Sequence, residues 1–402
     1  MIKNRLLLFI IGLFSETQIK LIGYISISEL FFLYYTFKVL WNGRKFIFNS
    51  DIRPFIIMGM LWMLSSLVTN IVRDNNIFNI LKGISMPLFY ISSFISLYYL
   101  LYRNLNNFKW FILGDAISGI ISIYYFRASL FEYAASVGEE LSGANIYTSY
   151  YWPFLFAITL FYYPQKKYFV LISIFIFGTI FFIIGARSSG SICYLSAFIV
   201  LLYNINYKFS YKFIAIGIIA ITQLISFSYG HFASIGALGD EAQKKYEIQS
   251  SSDIGILSGR QEFVAAFLAI TDSPIIGHGT AALDVEGYAI RGAELINAYY
   301  IPSYDEISQS VIASHSHLFG AWMLDGVLGF IFWFYLMFYI VRFGINNILY
   351  TGKYLPFVTL IILFTVWNFV FSPIQIRLPS SAFYIFIIIL NSNINNFNKI
   401  RI

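Results

Sequence analysis

Residues 168–204 read YFVLISIFIFGTIFFIIGARSSGSICYLSAFIVLLYN. Two apolar runs, 168–186 and 189–204, are separated only by the tight break Gly185-Ala-Arg187-Ser-Ser-Gly190. A bilayer core is about 30 Å thick, so a spanning helix needs roughly 20 predominantly apolar residues. The two runs therefore predict two membrane helices joined by a minimal turn. The same pattern recurs on either side, at 5–22, 24–41, 54–72, 84–102, 108–126, 147–163, 211–228, 317–341, 354–371 and 380–391. That makes twelve candidate spans. The first carries Glu16, Gln18 and Lys20 near its end, so it reaches an interface there or is partly re-entrant. The last is short.

Composition agrees. Of 402 residues, 58% are hydrophobic and 11% charged, and the mean hydropathy is +0.71. A soluble domain has about 25% charged residues, and this chain has too few to solvate a globule of 46.3 kDa. The fold class expected is an all-α polytopic membrane protein of about twelve transmembrane helices. The net charge of +6 lies in short loops rather than in a Lys/Arg stripe, which argues against nucleic acid. When alternate loops are assigned to opposite sides, sixteen Lys and Arg fall on one side and six in the short loops of the other. The positive-inside rule then puts both termini in the cytoplasm. The N-terminal Met1-Ile-Lys-Asn-Arg5 followed by Leu6–Phe14 has the outline of a signal peptide, but Ser15-Glu-Thr-Gln18 follows where a small-residue cleavage site is needed. It reads as an uncleaved first segment. The single cysteine, Cys193, allows no intrachain disulfide and reads as a packing residue.

Residues 229–316 differ from the rest. They separate helices 1–9 (1–228) from helices 10–12 (317–402), are rich in Gly and Ser, and hold eleven of the twenty acids. By parity they lie outside the cytoplasm. A connection this long is functional or disordered, and disorder is disfavoured because Arg260–Ile270 places Phe263, Phe267 and Ile270 at helical spacing. Ser258 fits as its N-cap, and Pro274 and Gly277 stop it. Such a helix lies on the membrane surface or covers a site.

Four arginines outside the cytoplasm could hold an anion: Arg187, Arg260, Arg291 and Arg377. Arg187, between small residues, faces a wet cavity or snorkels to the interface. Arg260 opens a helix, where a cation opposes the macrodipole unless an anion sits between them; an ordinary surface Arg is the alternative. His315 and His317 stand where the chain re-enters the membrane, and His231 and His278 are less distinctive. An H-x-H pair can bind a metal, but no third ligand stands nearby at a diagnostic spacing, so no metal is expected. A histidine there suits general-base work near neutral pH. Nucleophile elbows and P-loops are absent, and Glu29, Asp115 and Asp325 are the few acids within candidate spans.

Three segments together resemble the O-antigen polymerase and ligase superfamily of bacterial envelope enzymes. They are Gly185-Ala-Arg187-Ser-Ser-Gly190; Ser258-Gly-Arg260 with its helix and Pro274-Ile-Ile-Gly-His-Gly279; and His315-Ser-His317 with Gly326-Val-Leu-Gly329. The resemblance covers residues 180–340 by motif and the remainder by topology. It implies a GT-C-like glycosyltransferase in the inner membrane with a large periplasmic loop and its active site facing the periplasm. The implied substrate is an undecaprenyl-diphosphate-linked oligosaccharide, and no cofactor or metal is implied. Arg187 and Arg260 would hold the diphosphate, with Arg291 and Arg377 in secondary roles. His315, or His317, would be the base. The activity expected is polymerisation of O-antigen repeat units, with ligation to lipid A-core, or flipping of the lipid-linked unit, as alternatives. A flippase and a chain-length regulator are the expected partners.

Overall fold

The computed structural model describes residues 2–20, 24–42, 52–101, 104–125, 143–184, 186–204, 230–237, 261–296, 301–314, 316–350 and 354–372, with the single positions 228, 239, 243 and 246. In chain order these form α1 (Ile2–Leu13), a small hairpin of β1 (Gln18–Lys20) and β2 (Tyr24–Ser26), α2 (Ile27–Asn42), α3 (Arg53–Val72) and α4 (Ile77–Leu101). A 3-10 turn (Leu105–Asn107) leads into α5 (Phe108–Tyr125), α6 (Gly143–Tyr162), α7 (Lys167–Ile183) and α8 (Arg187–Asn204). Within the long connection lie α9 (Gln261–Asp272), α10 (Tyr288–Leu295) and α11 (Tyr304–Ile307). The chain then forms α12 (His317–Asp325), α13 (Val327–Tyr350) and α14 (Leu355–Phe371). The expectation of an all-α fold holds for the described residues but for one three-residue β-ladder and the isolated bridge Leu283–Val311.

Two of these helices, α3 and α4, are long and apolar enough to cross a membrane, and shorter apolar stretches lie in α1, α6, α7, α13 and α14. α3 shows how the bundle is dressed. Ile57, Met60, Leu61, Leu64, Val68 and Ile71 are exposed on its outer face, while Ser65, Ser66, Thr69 and Asn70 are buried on its inner face. In water a helix turns its apolar stripe inward. This reversal fits apolar surroundings, since an exposed apolar stripe in water is an association surface.

Residue pairs fix the helix directions. α3 runs against α13, with Phe55 beside Tyr339 and Trp62 stacked on Phe332. α6 runs against α14, with Trp152 on Phe364 and Phe156 on Phe357. α7 and α8 form an antiparallel hairpin, and at its turn the Ala186 amide donates to Phe181 O at 2.8 Å. Gly178 and Gly190 let those two helices close: a Cβ on Gly190 would stand 2.3 Å from the Phe182 ring. α1 runs parallel to α5, joined by Arg5 Nε to Asn107 Oδ1 at 3.3 Å and Glu16 N to Ser118 Oγ at 3.2 Å.

Two predicted spans are corrected. The span at 5–22 is a twelve-residue helix that ends at Leu13 and gives way to the β-hairpin. Ser15 bonds Gly12 O and the Asp115 carboxylate there, so polar contacts to α5 replace the continuing helix. The span at 317–341 is two helices, because the chain reverses at Gly326, whose φ is +77°. α12 folds back on α13: Trp322 meets Phe330 at 4.4 Å, the His317 ring meets Trp333 at 5.4 Å, and a Cβ on Gly329 would stand 2.6 Å from Ala321 O. Nine residues rise about 13 Å, so α12 is a short arm folded back on α13 and is less than half the length that a bilayer core needs. The spans at 211–228, apart from Ser228, and at 380–391 lie outside the described residues.

Candidate functional site

The reversal at Asp325-Gly326 is bonded from two sides. It lies against α3 on one side and the Pro274–Gly279 turn of the long connection on the other. From α3, Trp62 Nε1 donates to Asp325 Oδ2 at 2.7 Å and Ser65 Oγ to Asp325 O at 2.6 Å. From the turn, the His278 and Gly279 amides donate to Met323 O (2.8 Å) and Leu324 O (2.9 Å), and Val327 N donates to Ile275 O at 3.1 Å. Trp322 Nε1 donates to Pro274 O at 2.7 Å. Glycine is required twice. A Cβ on Gly326 would lie 2.0 Å from Ile275 O, and one on Gly277 (φ +86°) would lie 2.6 Å from Gly326 N. Both positions combine left-handed backbone with backbone-to-backbone contact, which only glycine accepts.

The end of α3 seals the same turn. Arg73 donates through Nε (2.9 Å) and Nη2 (2.7 Å) to Gly277 O and through Nη2 to Ser273 Oγ at 2.6 Å. Thr69 donates to Ile276 O. Asn70 accepts from Thr280 N at 2.9 Å and donates to Thr280 Oγ1 at 3.1 Å. Sequence reasoning counted Arg73 only as a charge in a short loop. The signal available was the cluster Asn70-Ile-Val-Arg73-Asp-Asn75, with two amides and a guanidinium at one helix end.

From this anchor α9 and α12 extend side by side in the same sense. Near their ends, Trp322 reaches Pro274. Near their starts, the rings of Phe263 and Phe319 meet at 5.0 Å. The expected stop of α9 at Pro274 holds, while Ser258 and Arg260 lie outside the described residues. α12 opens on Ser316, whose Oγ accepts from Phe319 N (3.1 Å) and donates to Phe369 O (3.0 Å), tying that start to the end of α14.

His317 is 1% exposed. Its ring stacks on Phe369 and meets Trp333 edge-on, and Nδ1 is 2.6 Å from Ser372 O. A carbonyl only accepts, so Nδ1 carries a proton and the ring orientation is fixed. This histidine joins α12 to α14 and does not stand at a solvent-facing rim. His315 and Arg377 lie outside the described residues. Arg187 is the first residue of α8 and is half-buried. Phe181, just before the α7–α8 turn, packs on Trp152, which packs on Phe364. With the helix directions above, this brings the start of α8 to the end of the bundle where α14 finishes and His317 lies.

Arg291 sits elsewhere. Its guanidinium lies over Tyr288 at 5.5 Å and pairs with Asp272, at the end of α9, at 3.7 Å, both side chains nearly half exposed. Burial, then the hydrogen bond and charge of Asp272, push the Tyr288 hydroxyl up to about 12, with Arg291 opposing. His278 points inward, with Nε2 2.7 Å from Ala269 O. Among the described residues no three His, Cys, Asp or Glu gather as a metal site. No family model, curated protein or solved structure matches the chain.

Proposed function

We propose that this chain is a polytopic membrane glycosyltransferase that polymerises O-antigen-type repeat units, transferring a growing glycan from undecaprenyl diphosphate to the next lipid-linked unit. The observation that carries the reading is the shared direction of α9 and α12, whose starts meet at Phe263 and Phe319. Two helix dipoles aligned in this way repel each other, and an anion at their positive ends relieves the repulsion. Each such end favours negative charge by about 0.3–1 kcal/mol when exposed and more when partly buried. α9 begins one residue after Arg260, and α12 begins two residues after His315. Discontinuous helices that aim their N-termini at an anionic substrate are a recurrent membrane-protein device.

In the proposed reaction the acceptor sugar hydroxyl attacks the anomeric carbon of the donor. The bond from that carbon to the diphosphate oxygen breaks, its electron pair leaves with undecaprenyl diphosphate, and the hydroxyl proton passes to His315. Arg187 and Arg260 take the leaving diphosphate with fork geometry and a charge independent of pH. Each charged hydrogen bond contributes about 1.5–3 kcal/mol. Arg377 is a secondary candidate, and Arg291, already paired with Asp272, is the weakest of the four. The polytopic arrangement, with both termini cytoplasmic and the long connection in the periplasm, belongs to the same proposal. It is supported by the reversed amphipathicity of α3 and by Arg5, Lys109 and Lys166 gathering at the end remote from Arg73.

The test is a deletion strain complemented with Arg187→Ala, Arg260→Ala or His315→Ala. Each should abolish long chains on a lipopolysaccharide gel at unchanged protein level, and normal ladders from all three would overturn the assignment. The deletion itself should leave core plus one repeat unit. Core alone with accumulated lipid-linked polymer would mean ligation, and failure of the repeat unit to reach the periplasm would mean flipping.

A further inference from the structure

α8 uses two faces. Gly190, Cys193 and Tyr194 turn to α7, where Gly178 lies against the Cys193 and Tyr194 side chains. Ser189, Ile192, Ser196 and Ile199, about a third of a turn away, are also buried, and α14 also packs on α8. α14 carries Thr365 and Asn368, and its C-cap Ser372 continues the same helical spacing. Ser196 and Thr365 are 0% exposed and Asn368 is 3% exposed. Yet Ser196 Oγ, Thr365 Oγ1 and Asn368 Nδ2 have no hydrogen-bond partner among the described residues. Two more orphaned donors flank the same turns of α14: Trp152 Nε1, whose ring lies on Phe364, and Trp333 Nε1, whose ring lies on Phe369.

Buried polar atoms are almost always paired, and few remain bare in a whole domain. Here four lie on or against residues 364–369 of α14, and a fifth, Ser196, lies on the helix packed beside it. Inside an apolar bundle each bare group is costly. Water is the partner that fits: it both donates and accepts, needs two to four polar contacts, and is small enough for a site with no exposed surface. The polar line also leads somewhere. Ser372 Oγ donates to Asn368 Oδ1 at 2.7 Å, and Ser372 O accepts from His317 Nδ1.

We propose that the α8–α14 interface is a water-binding seam, in which Ser196, Thr365 and the Asn368 amide hold bound water that continues the polar line from His317 and Ser372 into the bundle. The seam is independent of any sugar transfer. It gives the region between Arg187 and His317 a wet lining where the apolar sequence alone would build a dry one.

The sign of one substitution tests it. Thr365→Val keeps the shape and removes the hydroxyl. If the hydroxyl is bonded to water, thermal unfolding of the purified protein in nanodiscs shifts down by several degrees. If it is bare, removing it leaves the midpoint unchanged or raises it, and either result overturns the proposal. Should the variant fail to fold, radiolytic hydroxyl-radical labelling of the native protein decides. Trp152 and Trp333 should oxidise faster than Trp62, whose Nε1 is held by Asp325. Equal rates at all three overturn the seam.

Discussion

The α7–α8 and α12–α13 hairpins both reverse within three residues or fewer, and both carry residues that the sequence marks as functional. They are held in opposite ways. The α7–α8 turn is closed by backbone bonds and by helices packed through Gly178 and Gly190, with the Phe182 ring as the close neighbour. The α12–α13 turn is fastened from two sides by named polar bonds, with backbone against backbone at Gly326 and Gly277. A turn that only connects two helices can rely on packing. A turn that must also hold a long connection in place needs directional bonds, which are lost abruptly when one partner is removed.

Gly326→Ala is the strongest way to break the contrast. Its Cβ meets a carbonyl at 2.0 Å in a left-handed conformation, so detergent-solubilised protein should lose its monodisperse elution peak. Gly190→Ala, whose Cβ meets the Phe182 ring at 2.3 Å and Gly178 O at 2.9 Å but needs no positive φ, should lose less of it. Arg73→Ala comes next. Three hydrogen bonds from one guanidinium disappear, each contributing about 1.5–3 kcal/mol. Limited proteolysis should then cut between residues 273 and 280 at least tenfold faster, whereas Arg187→Ala should leave that rate unchanged; equal protection in both variants would show that the turn is held by something other than Arg73. Trp62→Phe removes a single donor to a carboxylate and should cost about 1.5–3 kcal/mol, read as a lower unfolding midpoint with the elution profile retained. Arg291→Ala should have the smallest effect. Its half-exposed pair with Asp272 is worth about 0–1 kcal/mol, so a large drop in thermal stability there would contradict the surface role.

Helix positions were legible wherever apolar runs were bounded by charge or by Gly and Pro. The runs at 54–72, 168–186, 189–204 and 354–371 match α3, α7, α8 and α14 within a few residues. The reversal at Gly326 was missed because the apolar residues on both sides of Asp325-Gly326 read as one continuous run; the Asp-Gly pair, a turn signal, was the trace it left. The first span failed for a related reason. Leu6–Phe14 is apolar enough to continue, but Ser15 and Glu16 find partners on α5, a hundred residues away. At the site, Arg187 stood out because an arginine between apolar runs is costly. Arg73 did not, since its partners are one carbonyl and a serine that only the fold brings near. His315 and His317 were indistinguishable by type, and burial against Phe369 and Trp333 separates out His317 as a joining residue.

The bonds from Trp62, Ser65, Asn70 and Arg73 reach residues between 200 and 263 positions further along the chain. During synthesis, α3 therefore emerges from the ribosome with a polar inner face whose counterparts do not yet exist. Until the stretch from Ser273 to Gly326 is made, that face lacks these partners. A chain halted before Gly326 would leave the donors of α3 without the turn they hold. The closure at Gly326 is therefore a late event in synthesis, long after α3 itself is complete.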